Sequence, residues 1–401
     1  MSTQWKNKYI GLFIVGVLCW NNVNGQSTLV EAFIKTAFVH PEVVADSMIL
    51  RQLNEEKFRS PWIREIDVRL RANELSPAIN EFRMRFDLMN PTVISADKNY
   101  QKSLENYRRV RADLQLNQVL KDRYQIMLLQ MQYTRQIELL EDYLSKLEAI
   151  VGQLPRQTTK EAIALDEAIF DLSKDRNELQ MKVQAVSNVI ENLLPNQPNK
   201  INWQQVRMQD FQTIKRETEV LLQLPLIDEA MYQARLRSDE DAYQRELAQN
   251  KRNLGFIQPE YELKPDNSIQ ENLGFQVGVV LPIFREDRVE EKLDQLEMKE
   301  KQAEIDEEKS KLYLLVERMR LMNVYYYQNG IDLSQKSQQL YDWSQTISST
   351  EIDEVMDILK YQFKVNSLRL KNDFDMMELY VQSLSLTGIL AQPPFQMYLF
   401  Q

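Results

Sequence analysis

Apolar residues fall three and four positions apart over long stretches of this chain. Tyr133, Ile137, Leu140, Leu144, Leu147 and Val151 step by four, three, four, three and four. Leu312, Leu315, Met319, Met322 and Tyr326 step by three, four, three and four. A mean spacing of 3.5 keeps one seam facing a partner helix, which is the coiled-coil condition. The intervening positions are dense in Lys, Arg, Glu, Asp and Gln, as a solvated helix face requires. Breakers mark the helix ends. Pro91 opens a run that lasts to about Val151, where Gly152 and Pro155 stop it; a second, Lys160 to Leu194, ends at Pro195 and Pro198. A third extends from about Trp203 to Asn253, interrupted at Pro225, and a fourth, from about Arg285 to Ile347, follows Pro282. After the turn Ser348-Ser349-Thr350, a fifth run from Glu351 to about Leu386 stops near Gly388. The first and fourth runs are each about 60 residues, or about 90 Å at the helical rise.

Between the helices the period changes to two. In Ile63 to Asn73, Ile66, Val68 and Leu70 alternate with Asp67, Arg69 and Arg71. In Glu81 to Met89, Phe82, Met84, Phe86 and Leu88 alternate with Arg83, Arg85 and Asp87. Strict alternation predicts half-buried β-strands, with Glu74 to Asn80 as the turn. A matching pair is predicted over Leu254 to Leu263 and Leu273 to Ile283. Pro259 weakens the third strand, since proline is confined to sheet edges and bulges.

The same order of elements therefore occurs twice. Phe38 to Val43 resembles Leu222 to Ile227, and each leads to a helix, a strand pair, a long helix, a turn and a shorter helix. Both strand pairs end in a proline before the long helix, Asn90-Pro91 and Leu281-Pro282. The expected division is 1–25 leader, 26–221 first repeat, 222–390 second repeat and 391–401 tail.

Composition adds the compartment and removes whole classes of chemistry. Lys6 and Lys8 precede the apolar run Ile10 to Trp20, and Val23-Asn24-Gly25 fits cleavage before Gln26. That is the layout of a secretory signal peptide, and the run is too short for a membrane helix of ~20 residues. Cys19 follows Leu18, where a lipid-anchoring motif needs a small residue. Removal of 1–25 takes away two lysines and no acid, moving the formal charge from −10 to −12. It also removes the only cysteine, and His40 is the only histidine. A thiol nucleophile, a His-based triad and a multi-His metal site are thereby excluded. The acidic balance and nine glycines argue against nucleic-acid binding and a glycine-rich phosphate cradle. No catalytic residue, cofactor or metal is expected. His40 beside Pro41 is expected as a capping or turn residue, and Tyr325-Tyr326-Tyr327 as core packing through Tyr326.

This arrangement resembles the TolC-like outer-membrane efflux protein family. Asn272 to Phe284 (NLGFQVGVVLPIF) is similar to the last strand and the apolar "PLF" before the long helix. Thr350 to Gln362 is similar to the start of the family's final helix, and His40-Pro41-Glu42-Val43 and Leu224-Pro225-Leu226-Ile227 to the "NP" element of each repeat. The resemblance spans nearly the whole mature chain. It implies a mainly α fold of long coiled-coil hairpins with two short strand pairs, assembled as a homotrimer with a twelve-stranded β-barrel and a helical tunnel. It further implies outer-membrane lipid around the barrel, a periplasmic adaptor, an inner-membrane pump, and efflux or type I secretion. The alternative function is that of a structural periplasmic coiled-coil protein. The chain departs from the family at the periplasmic turns, where glycine is usual and adaptors approach: Thr158-Thr159 and Thr350 stand there.

Two charged groups invite specific expectations. Arg69, Arg71, Arg83 and Arg85 either form a positive lumen ring or are neutralised in part by Asp67 and Asp87. Glu351, Asp353, Glu354 and Asp357 either form an acidic constriction at the periplasmic mouth or complement the dipole of the last helix. Asp357 lies beyond the first turn, where the dipole argument is weaker.

Overall fold

The computed structural model describes residues 27–55, 61–72, 79–153, 159–194, 201, 203, 206, 209–249, 253–262, 273–279, 288–346, 352–393, 395 and 397–399. The first unit runs α1 (Ser27–Lys35), a 3-10 turn (Thr36–Val39), α2 (Pro41–Glu55), β1 (Ile63–Ala72), β2 (Ile79–Met89), α3 (Pro91–Gln153) and α4 (Thr159–Leu193). It is followed by α5 (Phe211–Leu221), α6 (Ile227–Gln249), β3 (Asn253–Glu262), β4 (Leu273–Val279), α7 (Arg288–Thr346), α8 (Ile352–Leu386) and a 3-10 turn (Ile389–Ala391). Two helices, two strands, a long helix and a shorter helix thus follow one another twice.

Local chemistry sets the boundaries. Pro91 occupies the first position of α3, where its missing N–H costs nothing, and the Asn90 side chain accepts from Thr92 N at 3.0 Å. Pro41 opens α2 in the same way after His40, whose carbonyl accepts from Val44 N at 3.0 Å. Asp210 caps α5 by accepting from Gln212 N and Thr213 N, a contact worth about 1 kcal/mol.

α3 is the spine of the molecule. It packs against α1, α2, α4, α6 and α8, while α7 packs against α5, α6 and α8. Leu222 and Leu226, entering α6, share a cluster with Leu379 near the end of α8 and with Val316 and Met319 of α7. α6 and α8 therefore succeed each other along the groove between α3 and α7. Neither α2 nor α4 makes a substantial contact with α7 among the described residues. The main core lies where α1, α5 and residues 389–399 cover the middle of α3 and the second half of α8.

The first heptad seam lies where the spacing places it, with Leu140, Leu144 and Leu147 all buried. The second holds at Met319, which is buried, and at Leu312, Met322 and Tyr326, which pack against the same cluster. It departs at Leu315, which is 41% exposed while Val316 and Asn323 are buried. The reason is that α7 serves α5 and α6 as well as α8, so its buried side is not a two-helix seam. Asn323 is buried because its amide donates to Lys215 O at 3.2 Å. The α7–α8 contact carries a further polar pair, with Asn329 donating to Asn372 (2.8 Å) and Asn372 to Tyr326 O (2.9 Å).

The four strands form one antiparallel sheet in the order β1-β2-β3-β4. Pro259 therefore sits in an interior strand. β3 runs through it, paired continuously with β4 (Pro259 opposite Phe275). Towards β2 the register passes from Arg83↔Glu260 to Phe86↔Ile257, so the gap left by the missing N–H falls on that side. An interrupted ladder on one edge is what lets the proline stay.

Candidate functional site

The register sorts the sheet into two faces of opposite character. Ile66, Val68 and Leu70 of β1 share one face with Phe82, Met84, Phe86 and Leu88 of β2. Ile257, Pro259 and Tyr261 of β3 and Leu273, Phe275, Val277 and Val279 of β4 complete it. This apolar face is not covered: Leu70 is 59% exposed and Val279 69%. A contiguous exposed apolar surface of this kind marks contact with lipid or another protein. A ten-residue strand tilted by ~45° spans about 24 Å, close to the ~25 Å apolar band of membrane barrels.

The opposite face holds Arg69, Arg71, Arg83, Arg85, Asp67 and Asp87 together, with Glu65 and Glu81. β3 adds Phe256, Gln258 and Glu260 to the same face. Every one of the four arginines has a carboxylate partner. Arg69 pairs with Asp67 and Arg85 with Asp87, each at 2.8 Å, and Arg71 approaches Glu81 at 3.9 Å. Arg83 pairs with Glu81 and reaches Glu260 at 3.4 Å across the strand boundary. The Arg85 guanidinium also lies over the Phe256 ring at 4.1 Å. Phe256 in turn lies across Gly278, and Glu260 across Gly274, where any Cβ would collide with them. The face is polar and internally paired, and among the described side chains carboxylates outnumber the four arginines. Phe256, Glu260 and the two glycines were not singled out from sequence. The alternation Phe256, Gln258, Glu260 against Ile257, Pro259, Tyr261 carried the signal, but only the pairing of β2 with β3 brings it beside Arg83 and Arg85.

The turn residues are placed less fully. Thr158, Thr350 and Glu351 lie outside the described residues, and Thr159 is the first residue of α4. Asp353 and Glu354 fall in the first turn of α8, and Glu354 and Asp357 are exposed. Tyr326 is half-buried between two clusters, and Tyr325 is 62% exposed.

A second open surface lies on the helices. On α7, Leu314, Leu321 and Tyr325 form a stripe at helical spacing and each is more than half exposed. Ile163, Phe170 and Met181 form a comparable stripe on α4. α4 packs on α3 and α7 on α5, α6 and α8, so the two stripes lie on helices with no substantial contact between them among the described residues. No helix of the described residues is long and apolar enough to cross a membrane.

One carboxyl in the hairpin carries a clear electrostatic cost. Burial pushes Asp373 up to about 6 from 3.8, opposed only in part by Arg369. Its ionised form is thus disfavoured by folding. The penalty is absent below pH 3.8, grows between 3.8 and about 6, and is constant above. Asp373→Asn is expected to raise the melting temperature at pH 7.5 by about 1–3 °C, with no gain at pH 3.5. Paired thermal melts check this; an equal gain at both pH values would mean that ionisation is not the cause.

No protein-family model matches the chain, and no curated protein matches it in sequence. Solved structures do match its fold. The outer membrane protein VceC of Vibrio cholerae matches with a TM-score of 0.60 at 11% identity, over 91% of this chain and 99% of that one. CusC, a protein that forms a transmembrane channel, matches with 0.59 at 12% identity, over 92% and 95%. The open-state outer membrane channel MtrE of Neisseria gonorrhoeae matches with 0.59 at 10% identity, over 92% and 90%. The chain shares the fold of these three structures, from the strand pairs to the long hairpins.

Proposed function

We propose that this protein is an outer-membrane channel, the exit duct of a tripartite efflux or type I secretion system that carries substrates from the periplasm to the outside. The observation that carries the reading is the four-stranded sheet with one apolar face, one ion-paired face and, among the described residues, unpaired outer edges on β1 and β4. Four strands cannot close a barrel, and membrane strands tolerate no open edge. Three copies joined β4 to β1 give twelve strands and no edge, with lipid outside and water inside. The exposed stripes of α4 and α7 fit the same assembly, each covered by the other's counterpart on the next copy. In this reading 1–25 is removed on export, and 26–221 and 222–390 are the two repeats, with 391–401 as a tail. An adaptor and a pump meet the helical end near Thr158, Thr159 and Thr350, and the acids Glu351, Asp353, Glu354 and Asp357 line that mouth. The fold supports a duct rather than an enzyme.

Membrane fractionation with chemical crosslinking tests the assembly: a heat-sensitive trimer in the outer-membrane fraction is expected. A soluble monomer or dimer would instead favour a structural periplasmic coiled-coil protein. Selectivity tests the lumen. With each arginine paired, the wild-type duct is not expected to prefer anions. Changing Arg69, Arg71, Arg83 and Arg85 together to Gln leaves the carboxylates of this face without their partners. The potassium-to-chloride permeability ratio in planar bilayers is expected to rise about three- to tenfold. An unchanged ratio would place this face outside the conduction path.

A further inference from the structure

The described residues between 389 and 399 (389–393, 395 and 397–399) belong to neither the sheet nor the hairpins, yet they include some of the most deeply packed side chains in the molecule. Gly388, with φ of 72°, ends α8 in the left-handed conformation that glycine adopts without strain. Beyond it the chain turns through Ile389–Ala391, burying Leu390. Phe395 then sets its ring edge-on to Phe38, with centroids 4.7 Å apart. Tyr398 N points at the Tyr124 hydroxyl from 3.4 Å. Leu399 is fully buried, and its carbonyl accepts from Gln209 N at 3.1 Å. Those partners come from three remote places: Phe38 from the turn after α1, Tyr124 from the middle of α3, and Gln209 from the residue before the Asp210 cap of α5.

We propose that residues 389–399 act as a clasp, and that α1 and α5 are held in the main core only while this segment is docked. The argument rests on size and separation. α1 has nine residues and α5 eleven, too short to persist alone in water. Their buried residues, Val30, Phe33 and Ile34 of α1 and Ile214 and Leu221 of α5, share one cluster with Leu390 and Leu399. α1 and the clasp are more than 350 positions apart in the chain, so their contact is a late, long-range closure. The distal hairpins do not depend on it, because Tyr143, Leu147, Leu165 and Met356 form a separate cluster. The molecule thus has two cooperative units, a hairpin end that stands by itself and a clasped middle that forms when distant segments meet.

Amide hydrogen exchange on the full-length protein tests this with Leu399→Asp and the milder Leu399→Ala. In Leu399→Ala, exchange in Ser27–Lys35 and Phe211–Leu221 is expected to accelerate about tenfold or more, with the amides around Leu140 to Leu147 unchanged. Leu399→Asp is expected to free the same two helices completely. Unchanged exchange in α1 and α5, or an equal acceleration everywhere including the hairpin end, would overturn the proposal. If Leu399→Asp fails to fold at all, the Leu399→Ala pattern decides.

Discussion

Leu321→Glu is expected to leave the single protomer folded and to abolish its assembly. In the protomer Leu321 is 73% exposed on α7, and a glutamate on a solvated helix face changes stability by less than about 0.5 kcal/mol. In the closed ring proposed above, the same position would meet α4 of the next copy. A carboxylate buried there without a partner costs several kcal/mol per interface. The cost recurs at all three interfaces, so the effect on assembly is far larger than on folding. Circular dichroism melts together with crosslinking in detergent separate the two quantities. The expected result is an unchanged melt with monomers only; persistent trimers would mean that this stripe faces lipid, lumen or another protein instead of a second copy. Phe170→Glu on α4 is the matching change on the other flank.

The second large effect is expected at Gly255. Its φ is 147°, a conformation that side chains rarely adopt, and a Cβ there would stand 1.9 Å from the carbonyl oxygen of Gly278. Backbone meets backbone, so neither side can swing away. Gly255→Val therefore has to part β3 from β4, adding strain of about 1–3 kcal/mol to the lost ladder. We expect no protease-resistant sheet and no membrane-inserted form, as read by protease digestion and heat-dependent gel mobility. Gly274→Ala is the control. The three atoms nearest its Cβ all belong to the Glu260 side chain, which can rotate, so near-normal insertion is expected. Equal behaviour of the two variants would show that the close approach at Gly255 does not limit the sheet.

Much of this architecture is written locally in the chain. Asn90-Pro91 opens α3 because a capping side chain and a proline without an N–H suit the first turn. The alternation of Ile66, Val68 and Leu70 with Asp67 and Arg69 identifies a two-faced strand, and β1 begins at Ile63 as the alternation predicts. What was not legible depends on partners far away in sequence. Arg83 is also met from β3 by Glu260, more than 170 positions later, whereas the pairing of Arg69 with Asp67 and Arg85 with Asp87 is already one of the two readings of β1 and β2. On α7 the burial widens from the Met319 seam to Val316 and leaves Leu315 exposed, because three helices, not one, claim that side. Pro259 reads as an edge residue by composition, and only the one-sided gap towards β2 explains its interior place. The clasp left no periodic signal, since Phe395, Tyr398 and Leu399 sit in an irregular segment whose value lies in what it touches.

The spine helix sets a constraint on length. α3 runs for 63 residues, about 95 Å at helical rise, beside α2, α4, α6 and α8. α7 runs nearly as far beside α6 and α8. A chain built this way cannot be lengthened at one place. Seven residues added to α3 alone would carry its turn about 10 Å past that of α7 and α8, stranding the cluster of Tyr143, Leu147, Leu165 and Met356. The insertion becomes tolerable only when α4, α7 and α8 gain the same two turns at the same level. The reach of the hairpins is therefore a shared dimension of four helices, altered in whole heptads or not at all.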